Sequence, residues 1–201
     1  GRHAWKNVLL TDSGWYRNFE GGLCEKILRT FQQMLEKPAG EATVLFVPTA
    51  ATTDEARPAA GKCFAELLSA GISPNNIHPY DIDGSMTLER AMAYDVVYCT
   101  GGDTGHLLKR MKETGFDKIV KRMVYGNKVY VGASAGSKIA TPNIGDPFDK
   151  GSAGLALVNA YLSFHCPPGT SPREDLPLPH IPLSGGQALV VRWDGYSVIE
   201  G

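Results

Sequence analysis

The chain has 201 residues, 20 basic and 21 acidic side chains, a formal charge of -1, and 43% hydrophobic against 20% charged residues. That balance excludes a disordered chain and gives no electrostatic basis for binding nucleic acid. No apolar run approaches the ~18 residues that a membrane span needs.

Val8-Leu9-Leu10 reads as a short buried strand, followed by the polar Thr11-Asp12-Ser13-Gly14. Leu23, Cys24, Ile27, Leu28, Phe31, Met34 and Leu35 recur at helical spacing. Val44 to Val47 is an apolar run stopped by Pro48, as expected of a strand buried on both faces. A second helix carries Ala60, Cys63, Phe64, Leu67 and Leu68 and ends at Gly71. Ile77 to Tyr80 is an edge strand, because Pro79 cannot donate to a ladder. Val96 to Cys99 is the next buried run, closed by Gly101-Gly102. Two helices follow, Leu107 to Thr114 and Phe116 to Tyr125, and then the strand Val129 to Val131. Leu155 to Phe164 reads as a further strand. Pro167, Pro168, Pro172, Pro177, Pro179 and Pro182 exclude a long helix beyond it. Ala188 to Trp193 and Tyr196 to Ile199 flank Asp194-Gly195, a hairpin signal. The order predicts one α/β domain over residues 1–201, with a mostly parallel sheet, helices on both faces and a C-terminal β-hairpin.

The N-terminal Gly1-Arg2-His3-Ala4-Trp5-Lys6 has no apolar segment of signal-peptide type. Cys24, Cys63, Cys99 and Cys166 form no C-x-x-C pair and read as reduced thiols. A cytoplasmic protein is the expectation.

Gly132-Ala133-Ser134-Ala135-Gly136 is a G-x-S-x-G between a buried strand and a predicted helix, Ala135 to Ala140. A tight strand-to-helix turn of this kind lifts a serine hydroxyl above a sheet, as a nucleophile requires. Two histidines compete as its base. His165 lies 31 residues downstream of Ser134, and His106 follows Thr100-Gly101-Gly102-Asp103-Thr104 at a strand end. Candidates for the third, orienting acid are Asp146, Asp149 and Glu174, which spacing alone does not separate. Gly101 or Gly102 with the N–H of Ala135 would form an oxyanion hole, and Asp103 would accept a substrate ammonium. The Walker and G-x-G-x-x-G patterns and metal-ligand spacing are absent.

Several blocks together resemble the dipeptidase E family of serine peptidases, which also includes cyanophycinase. They are Val8-Leu9-Leu10-Thr11-Asp12-Ser13-Gly14, Phe46-Val47-Pro48-Thr49-Ala50, Thr100 to Leu108, Gly132 to Ser137, Thr141-Pro142-Asn143-Ile144 and His165. The resemblance implies a fold related to class I glutamine amidotransferases, with Ser134 as nucleophile and His165 as base. It implies hydrolysis of dipeptides with an N-terminal aspartate, without metal or cofactor, and makes Arg173 the candidate that holds the acidic side chain. Asp149, ahead of Asp146, is the acid expected to orient His165. His106 is expected to line the substrate pocket. The expected partner is a small peptide, with no nucleic acid or membrane, and a homo-oligomer is left open. Two alternatives stand beside this reading. One is an esterase of α/β-hydrolase type, for which the chain after Ser134 is short; the other is a non-catalytic binding protein on an amidotransferase-like scaffold.

Overall fold

The computed structural model describes residues 7–16, 22–145, 150–192 and 195–201. A seven-stranded sheet runs in the order β3-β2-β4-β5-β1-β8-β9. Its strands are β1 Asn7–Thr11, β2 Val44–Val47, β3 Ile77–Pro79, β4 Val96–Cys99, β5 Val129–Ala133, β8 Gln187–Arg192 and β9 Gly195–Glu200. The first five pair in parallel; β8 turns the sheet antiparallel against β1, and β9 completes the predicted hairpin. Pro79 lies in β3 at the sheet's margin, where its missing N–H leaves no ladder bond unmade.

Side chains alternate across the sheet as the period of two dictates. Val8 and Leu10 face one layer, where α4 (Thr104–Thr114) and α5 (Phe116–Tyr125) bury Leu107, Met111, Phe116 and Val120. Leu9 faces the other, where α1 (Glu25–Leu35) and α2 (Arg57–Ser69) bury Ile27, Phe31, Cys63 and Leu67 around Trp15. Trp15 stacks on Phe31 and meets Tyr98 edge-on. The remaining α3 (Leu88–Ala91) and α6 (Ala135–Lys138) are single turns.

The predicted strand from Leu155 to Phe164 shrinks to β6, Tyr161–Ser163, which pairs in parallel with β7, His180–Pro182, outside the main sheet. Backbone donors explain this. The N–H groups of Leu155 and Leu157 bond to Ile139 and Ala140 carbonyls, and Ala156 takes a left-handed φ of 53°. These residues wrap the end of α6 and have no ladder to join.

Because β5 lies between β4 and β1, the segments that leave these three strands emerge side by side at their carboxyl ends. In an open parallel sheet this is where ligands bind.

Candidate active site

The sharp turn from β5 into α6 places Ser134 at φ 53° and ψ -107°, a sparsely populated conformation for a residue with a side chain. The surrounding bonds hold it there. Ser134 N–H donates to the Thr11 carbonyl at 3.1 Å, and the Ser137 hydroxyl donates to the same oxygen at 2.9 Å. The Thr11 hydroxyl donates to Gly132 O at 2.7 Å, and Tyr130 OH to Gly136 O at 2.5 Å. A β-carbon on Gly136 would stand 1.9 Å from the Cys99 carbonyl oxygen, so the closing glycine of the motif is set by the approach of β4.

His165 reaches the serine from the segment after β6. Its Nε2 is 3.2 Å from Ser134 Oγ. On the other side of the ring, Nδ1 lies 3.1 Å from Asp12 Oδ2, and the backbone N–H of His165 donates to Asp12 Oδ1 at 2.5 Å. Asp12 is 1% exposed, while the His165 ring is 63% exposed and open to the cleft. The Ser13 hydroxyl also donates to Asp12 Oδ2, at 2.6 Å. A buried carboxylate accepting from Nδ1–H leaves Nε2 unprotonated and able to accept the serine proton.

The carboxylate against this histidine is that of Asp12, which directly follows β1. Asp149 and Asp146 lie outside the described residues, and Glu174 is exposed in the proline-rich loop. Gly101 and Gly102 do line the site. Gly102 has φ +137°, and a β-carbon there would meet the Ala50 carbonyl oxygen at 2.0 Å. A β-carbon on Gly101 would come within 3.3 Å of Ser134 Cβ, so the backbone passes directly beside this side chain. The Ala135 amide opens α6. Asp103 lines the same cleft and caps α4, accepting from His106 N–H at 2.9 Å. His106 itself is exposed and is not among the cleft's lining residues.

Arg173 is not among the residues lining this cleft: it lines a separate small cleft with Lys138 and His180, and its guanidinium forks onto Asp175 at 3.0 and 2.6 Å. Its loop connects the paired strands β6 and β7. His180 accepts from Arg173 N–H at 2.9 Å and fixes the loop there.

The cleft over Ser134 has a volume of about 690 Å³. One wall is α2, whose Lys62 ammonium meets the Ser13 carbonyl at 2.5 Å, the Tyr16 carbonyl at 2.8 Å and Glu66 Oε1 at 2.6 Å. Glu66 is 2% exposed; burial, opposed by Lys62, raises its carboxyl pKa above the ordinary value. Its Oε2 accepts from Trp15 N–H at 2.7 Å. This buried pair clamps the turn that carries Asp12. Lys62→Met would leave Glu66 buried without its cation, and urea unfolding should show a loss of about 3–5 kcal/mol.

Cys63 also lines the cleft, but burial pushes its thiol up to about 11. It stays protonated near neutral pH, and the thiolate is the reactive form. Iodoacetamide at pH 7 should therefore leave activity within about twofold of untreated protein, as read in a peptide-hydrolysis assay. Loss of activity with Cys63 alkylated would assign the nucleophile to sulfur. Among the described residues, no group of three or more His, Cys, Asp or Glu is placed to hold a metal ion, and no helix is long and apolar enough to cross a membrane.

Comparison with known proteins agrees with this architecture. The pattern of Peptidase family S51 matches residues 8–177. An uncharacterized peptidase of Listeria monocytogenes is 38% identical over 104 residues, covering 51% of this chain and 50% of that protein. Peptidase E of Escherichia coli is 32% identical over 109 residues, covering 54% of this chain and 46% of its own length. The matched stretch thus spans about half the length of these curated relatives. A crystal structure of a Peptidase E-type protein from Listeria monocytogenes superposes with a TM-score of 0.72 at 24% identity, covering 98% of both chains. A peptidase from an acI-B1 actinobacterium gives 0.68 at 15% identity, covering 98% of this chain and 88% of the other.

Proposed function

The chain belongs to peptidase family S51, and on that premise we propose that it is a serine peptidase acting on short peptides with a free amino end. The observation that carries the reading is the unbroken contact from Ser134 Oγ through His165 to the buried Asp12, opening into a cleft of about 690 Å³. Ser134 Oγ attacks the scissile carbonyl carbon while His165 Nε2 takes its proton. The N–H groups of Gly101 or Gly102 and of Ala135 receive the oxyanion. His165 then returns the proton to the leaving amine, and water, activated by the same ring, releases the acyl group. Asp12 holds the ring in its Nδ1–H tautomer and stabilises the imidazolium that forms. Asp103 receives the ammonium of the substrate's first residue.

Release of free amino acids from dipeptides by the parent, and not by Ser134→Ala, tests the proposal. Fast turnover of aryl esters without peptide cleavage would favour the esterase. The aspartate preference implied by the sequence resemblance belongs to this proposal; Arg173, its expected cation, lines a separate small cleft and pairs with Asp175.

A further inference from the structure

We infer that Thr11 is a positioning residue: its hydroxyl ties the turn that carries Asp12 to the turn that carries Ser134, and so sets the distance across which His165 works. The inference rests on the peptidase reading and deepens it.

The His165 ring is held between groups that come from two different strands. Asp12 follows β1 and accepts from the His165 amide while facing its Nδ1. Ser134 follows β5 and stands 3.2 Å from Nε2. His165 itself takes a left-handed φ of 56°, which costs free energy in a residue with a side chain, and the bond from its amide to Asp12 holds it there. The ring therefore follows Asp12. How closely Nε2 then approaches Ser134 Oγ depends on how the end of β1 is fixed against the end of β5.

Thr11 makes that connection. It is fully buried and pairs with Ala133 at the last position of the β1–β5 ladder. Its hydroxyl donates to Gly132 O at 2.7 Å, two residues before the serine, and accepts from Gly14 N–H at 2.8 Å, two residues beyond the acid. One oxygen atom thus joins the two turns. The Thr11 carbonyl adds to the hold by accepting from Ser134 N–H at 3.1 Å and from the Ser137 hydroxyl at 2.9 Å. The Lys62–Glu66 pair grips the same turn from its α2 side, at the carbonyls of Ser13 and Tyr16 and the amide of Trp15. A valine at position 11 would fill the same space and suit a strand equally well, so the strand alone does not call for the hydroxyl. What valine lacks is the bridge from Gly14 to Gly132. A shift on the order of 1 Å in a reacting group can cost about 10²-fold in rate, while substrate binding does not pass through the His165–Ser134 contact.

The test compares Thr11→Val and Thr11→Ser with the parent on Asp-Leu and Ala-Leu, with kcat expressed per site titrated by a fluorophosphonate. Thr11→Val should lower kcat by roughly 10- to 100-fold and change KM by less than about threefold. Thr11→Ser restores the oxygen and should stay within about threefold of the parent. Added to Asp12→Asn, Thr11→Val should cost less than about threefold more, because the hydroxyl acts through the carboxylate it positions. A residue that merely stabilised the fold would lower the fraction of titratable sites and leave kcat per site unchanged. Parent-like kcat in Thr11→Val, an equal loss in Thr11→Ser, or full additivity with Asp12→Asn overturns the inference and leaves the peptidase reading standing. A Thr11→Val chain that does not fold while Thr11→Ser does would make the hydroxyl a requirement of the fold, and overturns it as well. A parent that neither cleaves a dipeptide nor takes the probe on Ser134 overturns both.

Discussion

Ser134→Ala should lose on the order of 10⁴–10⁶ in kcat while remaining folded, because a nucleophile acting within one catalytic unit carries nearly the whole effect. The side-chain oxygen makes its contact with His165, whereas the bonds that shape the turn come from the backbone of Ser134 and from Thr11, Ser137 and Tyr130. Alanine keeps all of these and meets the same backbone strain as serine, so chemical denaturation should shift by no more than about 0.5 kcal/mol. His165→Ala should be about as inactive, and the double variant no worse than either alone, since removing the base already silences the hydroxyl. His106→Ala should keep its activity, because that ring stands outside the cleft. An active His165→Ala with an inactive His106→Ala would reassign the base.

Asp12→Asn should cost about 10⁴ in kcat. The carboxylate takes three donors, the His165 amide, His165 Nδ1 and the Ser13 hydroxyl, while 1% exposed. An asparagine can still accept from the His165 amide through its carbonyl and keep the segment in place. Its NH₂ would then point at Nδ1 and favour the tautomer with the proton on Nε2, which cannot accept from Ser134. The loss should appear in kcat with KM nearly unchanged, since the ring orientation matters most once charge develops. Asp12→Ala should also destabilise the fold by about 1–3 kcal/mol, because the His165 amide would be left without its acceptor. Full activity in Asp12→Asn alongside an inactive Asp149→Asn would make Asp149 the orienting acid in place of Asp12.

The contrast between these two residues shows what the sequence discloses. Ser134 was legible because its signal is local: a buried strand, small neighbours and a short helix lie within ten residues. The strands of the sheet were legible for the same reason, as continuous apolar runs bounded by Pro48, Gly101 and Gly132. Asp12 was not, since it stands 153 residues before His165 and the two meet only because β1 inserts beside β5. Read locally, Thr11-Asp12-Ser13-Gly14 is a polar turn. The signal that points to Asp12 is its position at the carboxyl end of a buried parallel strand, the same rule that drew attention to His106. Arg173 is the opposite case: its local pattern is distinctive, but its side chain lines a separate small cleft, and Asp175, two residues on, takes its guanidinium. The segment from Leu155 was apolar enough for a strand, but its donors serve the end of α6.

The most direct test of the catalytic centre is covalent labelling with a fluorophosphonate, which reacts with a serine only when a base activates it and donors stabilise the oxyanion. The parent protein should gain one phosphonyl group per chain, located on Ser134 by peptide mass mapping, and His165→Ala and Asp12→Asn should label far more slowly. A parent that remains unlabelled, or takes the probe on another residue at the same rate in the His165→Ala variant, would contradict Ser134 as the nucleophile.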